Sequence, residues 1–290
     1  MNALVQTVDD IFSETGALSK LPQFEYRPQQ RRMAVAVAEA LSSRKHLIVE
    51  APTGVGKSLA YLIPTLLYAR SEKRKAIVST HTKNLQEQLF RKDIAIARDV
   101  LGASEVHAVV LKGRRNYLCT TRLKRALAST GSLFNDEEQV ELHRIQAWSQ
   151  NTADGDVESL GFTPSSSVWD MVCSEKGICS SSVCDSTCFF QKTKERVRAA
   201  NLIIMNHALF FTLMALQESD EGFIFKDDFV IFDEAHTLEA VAGVGIGKNI
   251  SRYQVLSAIH RFYNPRTKKG LFARQKKAVQ QVCEEAEDAA

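Results

Sequence analysis

The chain has 290 residues, 44% of them hydrophobic and 24% charged, with a formal net charge of +3. That composition supports a sizeable core in one large domain or two small ones, and it excludes disorder and a strongly polyionic character. Six cysteines, four of them clustered, exclude a secreted disulfide scaffold, and the N-terminus (Asp9, Asp10, Glu14) lacks the basic-then-apolar pattern of a secretory signal. The longest apolar stretch, residues 59–69, is broken by Pro64 and Thr65 and falls short of the ~20 residues needed to cross a bilayer. A cytoplasmic protein without a membrane partner is expected.

In chain order, PQQRRMAVAVAEALS (28–42) reads as a helix with Pro28 at its start and Met33, Val37, Ala40 and Leu41 on one face. HLIVE (46–50) reads as a short buried strand, followed by a glycine-containing turn and a second helix, KSLAYLIPTLLYAR (57–70), which Pro64 should kink or shorten. KAIVST (75–80) is a strand, TKNLQEQLFRKDI (82–94) a helix and VHAVVLKG (106–113) a third strand. The alternation then stops: residues 114–200 are basic, serine-rich and cysteine-rich. Strands resume with NLIIM (201–205) and FVIFDE (229–234), and from about Gly243 the chain is polar and helical. The pattern predicts an α/β fold: a parallel-sheet lobe over 1–113 and 201–242, an insertion over 114–200, and a helical segment over 243–290.

EAPTGVGKS (50–58) follows the first expected strand and opens a helix, which is the context of a phosphate-binding loop. Backbone N–H groups over Thr53, Gly54, Val55 and Gly56 can cradle phosphate oxygens, and the helix start adds a favourable dipole. Lys57 would reach the β- and γ-phosphates of ATP and Ser58 would hold Mg²⁺. Ala51 stands where the strict pattern has glycine. A glycine turn before a helix is the bland reading, and the complete T-G-x-G-K-S run argues against it. DFVIFDEAH (228–236) is an apolar run ending in Asp233, Glu234 and His236. At a strand end Asp233 would hold Mg²⁺ through water and Glu234 would orient and deprotonate an attacking water, with His236 linking nucleotide state to a bound strand. Alone the motif could be an acidic strand end; downstream of the phosphate loop it specifies an NTPase lobe of the helicase kind. Thr80, His81 and Thr82 end a strand where they could meet nucleic-acid phosphates, or Thr82 could simply cap a helix.

VCSEKGICSSSVCDSTCFF (172–190) gathers four of the six cysteines. Cys179, Cys184 and Cys188 make three candidate ligands on one loop, and a closed site needs a fourth. Cys173 is the local choice. Cys119, in LKGRRNYLC at the mouth of the insertion, is the distant one. A zinc site with Cys173 is an alternative, although the paired C-x2-C knuckles of zinc ribbons are missing. Four unliganded thiols is the weakest reading for so serine-rich a stretch.

YRPQQRRMA, EAPTGVGKSLAYLIP, STHTKNLQEQLF, LKGRRNYLC, the C-x4-C-x3-CFF run, NLIIMNHALF and IFDEAHTLE occur in this order. The chain resembles, over roughly residues 15–245, the iron–sulfur superfamily-two helicases of the DinG/XPD type, most closely the bacterial DinG-like branch. The resemblance implies a RecA-like motor lobe with Lys57, Asp233 and Glu234 in catalysis, Gln30 (with Gln29 as fallback) on the adenine edge, and a [4Fe–4S] cluster on Cys119, Cys179, Cys184 and Cys188, leaving Cys173 spare. It implies ATP-driven unwinding of DNA from a 5′ single-stranded tail, with single-stranded or forked DNA as partner and a monomeric state. Two basic runs, Lys112, Arg114, Arg115, Arg122, Lys124 and Arg125, and Lys192, Lys194, Arg196 and Arg198, would converge beside the cluster and neutralise phosphates. Tyr117, Phe189 and Phe190 are expected to pack over the cluster rather than stack on bases. Asn206 and His207 fit the family pattern without an assigned role. No second-lobe run of the Q-x-x-G-R-x-x-R kind follows Glu239, so the chain is expected to be an N-terminal portion, with residues 243–290 opening an arch-type insertion. On that expectation it binds nucleotide and single strands with little turnover. The rivals are a truncated binding module and, more weakly, a zinc-bearing RNA-dependent ATPase.

Overall fold

A computed structural model describes residues 2–22, 24–102, 106–128, 134–180, 182–184, 187–215, 228–246, 251–275 and 277–289. The chain divides into two compact units, residues 1–241 and 242–290. The first opens with helices α1 (Ala3–Ile11), α2 (Pro28–Ser43) and α3 (Lys57–Ser71). Pro28 suits the first turn of α2 because its missing N–H would have had no intrahelical acceptor there. Contrary to the expected shortening, α3 runs through Pro64 as one helix. Its residues 59–66 are all buried, between α1 and α2 on one side and the sheet on the other, and this packing offsets the lost hydrogen bond.

Four parallel strands, β1 (Ala76–Thr80), β2 (Ala108–Val110), β3 (Leu202–Asn206) and β4 (Phe229–Phe232), form one sheet in the order β2–β3–β1–β4. Val78 of β1 stands opposite Ile204 on one side and Ile231 on the other. With neighbours on both flanks β1 is fully buried, and its side chains alternate between two cores. Ala76 and Val78 face α3 and the run α4 (Lys83–Gln88), π-helical turn (Leu89–Asp93) and α5 (Ile94–Leu101), whereas Ile77 faces the opposite layer.

The strand expected at 46–50 is not part of this sheet. The segment carries no strand hydrogen bonds, and Leu47, Ile48 and Val49 are exposed, Ile48 to 97%. An apolar run becomes a buried strand only when another strand accepts its backbone groups. Among the described residues β4 pairs with β1 alone, so its other edge has no strand.

The insertion leaves after β2 and returns into β3, its neighbour in the sheet. It contains α6 (Thr120–Ala128), α7 (Asp136–Ser149), α8 (Ser166–Val172) and α9 (Phe189–Ala199). Leu118, Leu123, Leu142, Ile145, Val168, Trp169 and Val172 form its own core. A capping box at Asn135 and Glu138 starts α7 by satisfying backbone N–H groups that a helix start leaves free. Lys75, just before β1, donates to Val197 O at 2.9 Å and Arg198 O at 2.6 Å. The C-terminal end of α9 therefore sits at the N-terminal edge of the sheet. Cys188, at the other end of α9, lies about 16 Å away along the helix, toward the edge where the strands end. Helices α10 (His207–Ala215) and α11 (Leu238–Ile246) come after β3 and β4 in the chain; in the second unit His260 Nε2 of α12 (Arg252–Phe262) lies 3.0 Å from the Glu287 carboxylate of α13 (Lys277–Asp288).

Candidate active site and thiol centre

Parallel α/β sheets place their ligand sites beyond the C-terminal ends of the strands. Here those ends carry Thr80 and His81 after β1, Asn206 and His207 after β3, and Asp233 and Glu234 after β4. The loop at 51–56 turns on Gly54 and Gly56, whose φ angles are 84° and 85°, and α3 begins at Lys57. Gln30 is buried and its Nε2 donates to Gly56 O at 2.9 Å. A Cβ on Gly56 would overlap that amide, so glycine is needed here for space as well as for φ. Gln30 thus braces the loop from behind, whereas Gln29 is exposed. Thr53 and Gly54 are exposed; Val55, Lys57 and Ser58 are half-buried.

Lys57 Nζ lies 3.7 Å from Glu234 Oε1. Asp233 is anchored by its own N–H, which donates to Ser79 O at 2.8 Å. Its Oδ2 accepts from the Tyr61 hydroxyl at 3.2 Å and its Oδ1 accepts from Glu234 N at 3.1 Å. Burial pushes the Asp233 carboxyl up, with Tyr61 and Lys57 pulling against it. Glu234 has a left-handed backbone, φ 56°, unusual outside glycine and a mark of local strain. His236 is exposed, 3.5 Å from the Glu234 carboxylate. The structure thus brings Lys57, Asp233 and Glu234 together, with Tyr61 of α3 bonded to Asp233.

Two side chains, Tyr61 and Asp93, escaped the sequence reading, and a third, His207, was noted there without a role. Tyr61 shares a helix face with Lys57 and Ser58, a spacing the sequence displays. Asp93 is buried in the π-helical turn and one of its oxygens has no partner; burial pushes its carboxyl up. His207 is fully buried, with Nδ1 2.7 Å from Ser79 Oγ and Nε2 without a hydrogen-bond partner. Burial holds its pKa down, so it is a neutral wedge between the ends of β1, β3 and β4. Thr80 is buried, and Thr82 accepts from Leu85 N at 3.2 Å as the cap of α4.

The thiols of Cys119, Cys179 and Cys184 lie within 4.8 Å of one another, all buried. Cys119 Sγ is 3.5 Å from Cys179 Sγ and 3.7 Å from Cys184 Sγ. Cys188 joins the same buried cluster with Tyr117 and Phe190. A hydrogen bond from Cys119 pulls Cys188 down to about 6, while the same bond and burial push Cys119 up. Cys173 is buried elsewhere, in the insertion core, paired by a backbone bridge with Leu118. The meeting of Cys119 with the loop follows from topology. β2 and β3 are neighbours, so the chain leaving β2 and the start of α9 share one edge of the sheet. Clustered soft thiols fit iron or zinc.

Residues 27–146 match the DEAD/DEAH box helicase family. Over these residues the chain carries a DEAD/DEAH box helicase domain. It is 36% identical over 254 residues to the ATP-dependent DNA helicase YoaA of Escherichia coli, covering 85% of this chain and 39% of that protein. It is 30% identical over 248 residues to the 3′-5′ exonuclease DinG of Bacillus subtilis (84% and 26%), and 31% identical over 233 residues to the ATP-dependent helicase DinG of Mycobacterium tuberculosis (73% and 34%). The chain is therefore a DinG-like helicase lobe and spans about two fifths or less of the length of these relatives.

On this DinG-like lobe the two basic runs do meet. Arg114 lies over the Phe190 ring at 4.7 Å and Lys194 at 6.0 Å, directly beside the thiols. Tyr117, Phe189 and Phe190 are buried packing residues. Other members of the runs are engaged internally. Arg122 donates to Cys173 O and Asp170 O at 2.6 Å each, and Arg115 pairs with Asp170. Lys112 is a correction to the expected phosphate-binding face. Its side chain is 3% exposed and pairs with Asp156, with Glu158 at 2.7 Å and with Glu87 at 3.1 Å. Burial alone would push this ammonium down; the three carboxylates outweigh it and hold it above the usual lysine range.

Proposed function

We propose that this chain is the first motor lobe of an ATP-dependent DNA helicase, with residues 114–200 as a metal-bearing insertion that helps to hold single-stranded DNA. The observation that carries the reading is the convergence of Lys57, Asp233 and Glu234 at one edge of the sheet, beside a loop whose glycines leave room for phosphates. The oxygen donors, Ser58 hydroxyl and Asp233 carboxylate, suit a hard ion such as Mg²⁺. Bound there, Mg²⁺ would neutralise charge on the phosphates. Lys57 would leave Glu234 for the β/γ-phosphates, freeing the carboxylate to orient and deprotonate water; the 3.7 Å pair is a resting contact of modest strength. Gln30 supports the loop on this reading, which leaves adenine recognition to the exposed Gln29 or the backbone near it. Arg114 and Lys194 beside the thiols would contribute phosphate contacts to the DNA path. Unwinding from a 5′ tail belongs to the same proposal for the whole protein.

The thiol set Cys119, Cys179, Cys184 and Cys188 is assigned to a [4Fe–4S] cluster. The 3.5–3.7 Å sulfur spacings favour a second reading. A single tetrahedral ion with ~2.3 Å bonds to sulfur sets edges of about 3.8 Å, whereas a cube binds each thiolate to a different iron and needs them farther apart. Iron and zinc quantification on anaerobically purified protein decides between them. Cys119→Ser should abolish metal retention and Cys173→Ser should leave it unchanged. Full metal content in Cys119→Ser overturns the ligand assignment. Zinc at one atom per chain with no iron overturns the cluster and leaves the motor-lobe reading standing, which is tested separately by binding of a labelled ATP analogue and of single-stranded DNA.

A further inference from the structure

The second unit carries charge that none of the motifs uses. From residue 261 to residue 277 the sequence has seven arginines and lysines and no acid. The backbone gathers them on a fixed turn between α12 and α13. Leu271 N donates to Arg261 O at 3.0 Å and Phe272 N to Phe262 O at 2.7 Å, which ties this stretch back to the end of α12. At the tip Asn264 N donates to Lys269 O and Lys268 N to Asn264 O, each at 2.8 Å. Asn264 Oδ1 accepts from Arg266 N at 3.0 Å and from Thr267 N at 3.1 Å. Gly270 has φ 133°, and a Cβ there would lie 2.5 Å from Phe262 O. Main chain and Asn264 therefore hold the tip, and its long side chains are left over. Arg266, Lys268, Lys269, Arg274 and Lys277 are all exposed, and among the described residues none of the five is in an ion pair. The insertion differs: there Lys112, Arg115 and Arg122 are taken up by Asp156, Asp170 and Glu175.

We infer that the turn between α12 and α13 binds a single strand of DNA, with its cations on the phosphates and Phe262 against a base. Like charges crowded on one turn repel, and a carboxylate among them would relieve the repulsion. Their partner is an anion from outside, and a strand of phosphates supplies one charge per nucleotide. Charge alone would fit any polyanion; the aromatic ring narrows the choice. Phe262 is 45% exposed although its ring stacks on Phe272 at 5.4 Å with 25° between the planes, so ring surface is left for a further layer. Free cations beside an exposed aromatic are the two elements that hold single strands without regard to sequence. A duplex keeps its bases stacked on one another and has none to offer the ring. The inference deepens the proposed function and rests on DNA being the partner. It adds a contact in a unit that holds neither the nucleotide motifs nor the thiols.

Binding of the 290-residue chain to a labelled oligothymidine of about 20 nucleotides, followed by fluorescence anisotropy from about 50 to 200 mM salt, tests this. The triple variant Arg266→Gln, Lys268→Gln, Lys269→Gln should bind at least tenfold more weakly at about 50 mM salt. Its plot of log affinity against log salt should flatten by about 2, roughly 0.7 for each lost phosphate contact. Phe262→Leu should weaken single-strand binding about fivefold at an unchanged slope, since stacking is not ionic, and should leave binding of a duplex unaltered. A control of equal charge on exposed sites of the first unit, Lys20→Gln, Lys45→Gln, Lys73→Gln, should change affinity less than about threefold. Arg274→Gln with Lys277→Gln serves as a second set should the triple variant not fold, as judged by circular dichroism and melting. An unchanged slope in a folded turn variant, a silent Phe262→Leu, or an equal loss in the control would overturn the inference. So would tighter binding to phosphatidylserine vesicles than to the oligonucleotide, lost in the same variants, which would make the turn a lipid contact. No oligothymidine binding by the unaltered chain would instead overturn the DNA-holding reading, and this inference with it.

Discussion

Replacing Lys112 by methionine tests whether the insertion is welded to the motor lobe by charge. The stem of lysine is matched by methionine, and only the ammonium is lost. Lys112 comes from the end of β2, Glu87 from α4, and Asp156 and Glu158 from the insertion. Asp156, whose side chain is 10% exposed, would be stranded without its partner. Breaking a buried pair in this one-sided way costs about 3–5 kcal/mol. Glu87 and Glu158 are one-third exposed, so water screens them and each adds no more than about 0.2–1 kcal/mol. The expected loss is about 4 kcal/mol. Both tryptophans of the chain, Trp148 and Trp169, lie in the insertion, their indole N–H groups bonded to Ser159 O at 3.1 Å and Arg115 O at 2.8 Å. Tryptophan fluorescence therefore reports the insertion while far-ultraviolet circular dichroism reports the whole chain. With a urea slope of about 2 kcal/mol/M the fluorescence midpoint should fall by about 2 M. The double variant Lys112→Met, Asp156→Leu should recover most of the loss, since an apolar pair can replace a buried ion pair. A midpoint shift below about 0.3 M in the single variant would refute the reasoning.

The same group predicts a reversal with pH. Glu87 and Glu158 are held below the usual carboxylate range: burial opposes this, but Arg91 and Lys112 outweigh it at Glu87, and Lys112 and Lys83 at Glu158. Their folded values are depressed, so the stability they add is present above the unfolded value of about 4.3 and is lost as pH falls through the folded ones. Tryptophan-monitored stability should drop on acidification below about pH 4.5. In Lys112→Met the repelling carboxylates should make the same acidification stabilising; equal slopes in both proteins would contradict the account. Gly56→Ala should weaken binding of an ATP analogue at least tenfold with little change in the insertion's urea midpoint, because the new Cβ meets the Gln30 amide and φ is positive. Tyr61→Phe, which frees Asp233 Oδ2, should cost about 1 kcal/mol of stability read by thermal melting.

Much of the lobe was legible because local pattern and tertiary role agree. The apolar runs at 75–80, 201–205 and 229–232 are strands because each finds a neighbour in the sheet. The run at 46–50 has the same composition and finds none, and composition cannot reveal a missing partner. Lys57, Asp233 and Glu234 were readable as motifs, and the fold brings them together at one edge of the sheet. The place of His207 was not, because it is set by Ser79, a neighbour distant in sequence. Lys112 was misjudged for a related reason: a lysine in a basic run reads as a solvated charge until its three carboxylates, 25 to 46 residues away, are placed around it.

Residues 83–93 connect these findings. At one end Lys83 donates to Asn116 at 2.8 Å and pairs with Glu158 at 3.1 Å, so this helical run is fastened to the insertion and to the stretch leading to Cys119. In its middle Glu87 meets Lys112. At the other end the π-helical turn packs against α3 and buries Asp93. Just before it stand His81 and Thr82, at the edge where a nucleic acid would lie. A shift of this run along its axis would move its contacts to the thiol-bearing insertion and its packing on α3 together. The π-helical turn is the place where such a run can slip, because its hydrogen bonds are already out of regular register. Coupling between nucleotide and DNA would then need no relay through the sheet, only one short helical run tied to the insertion by charge and packed on α3.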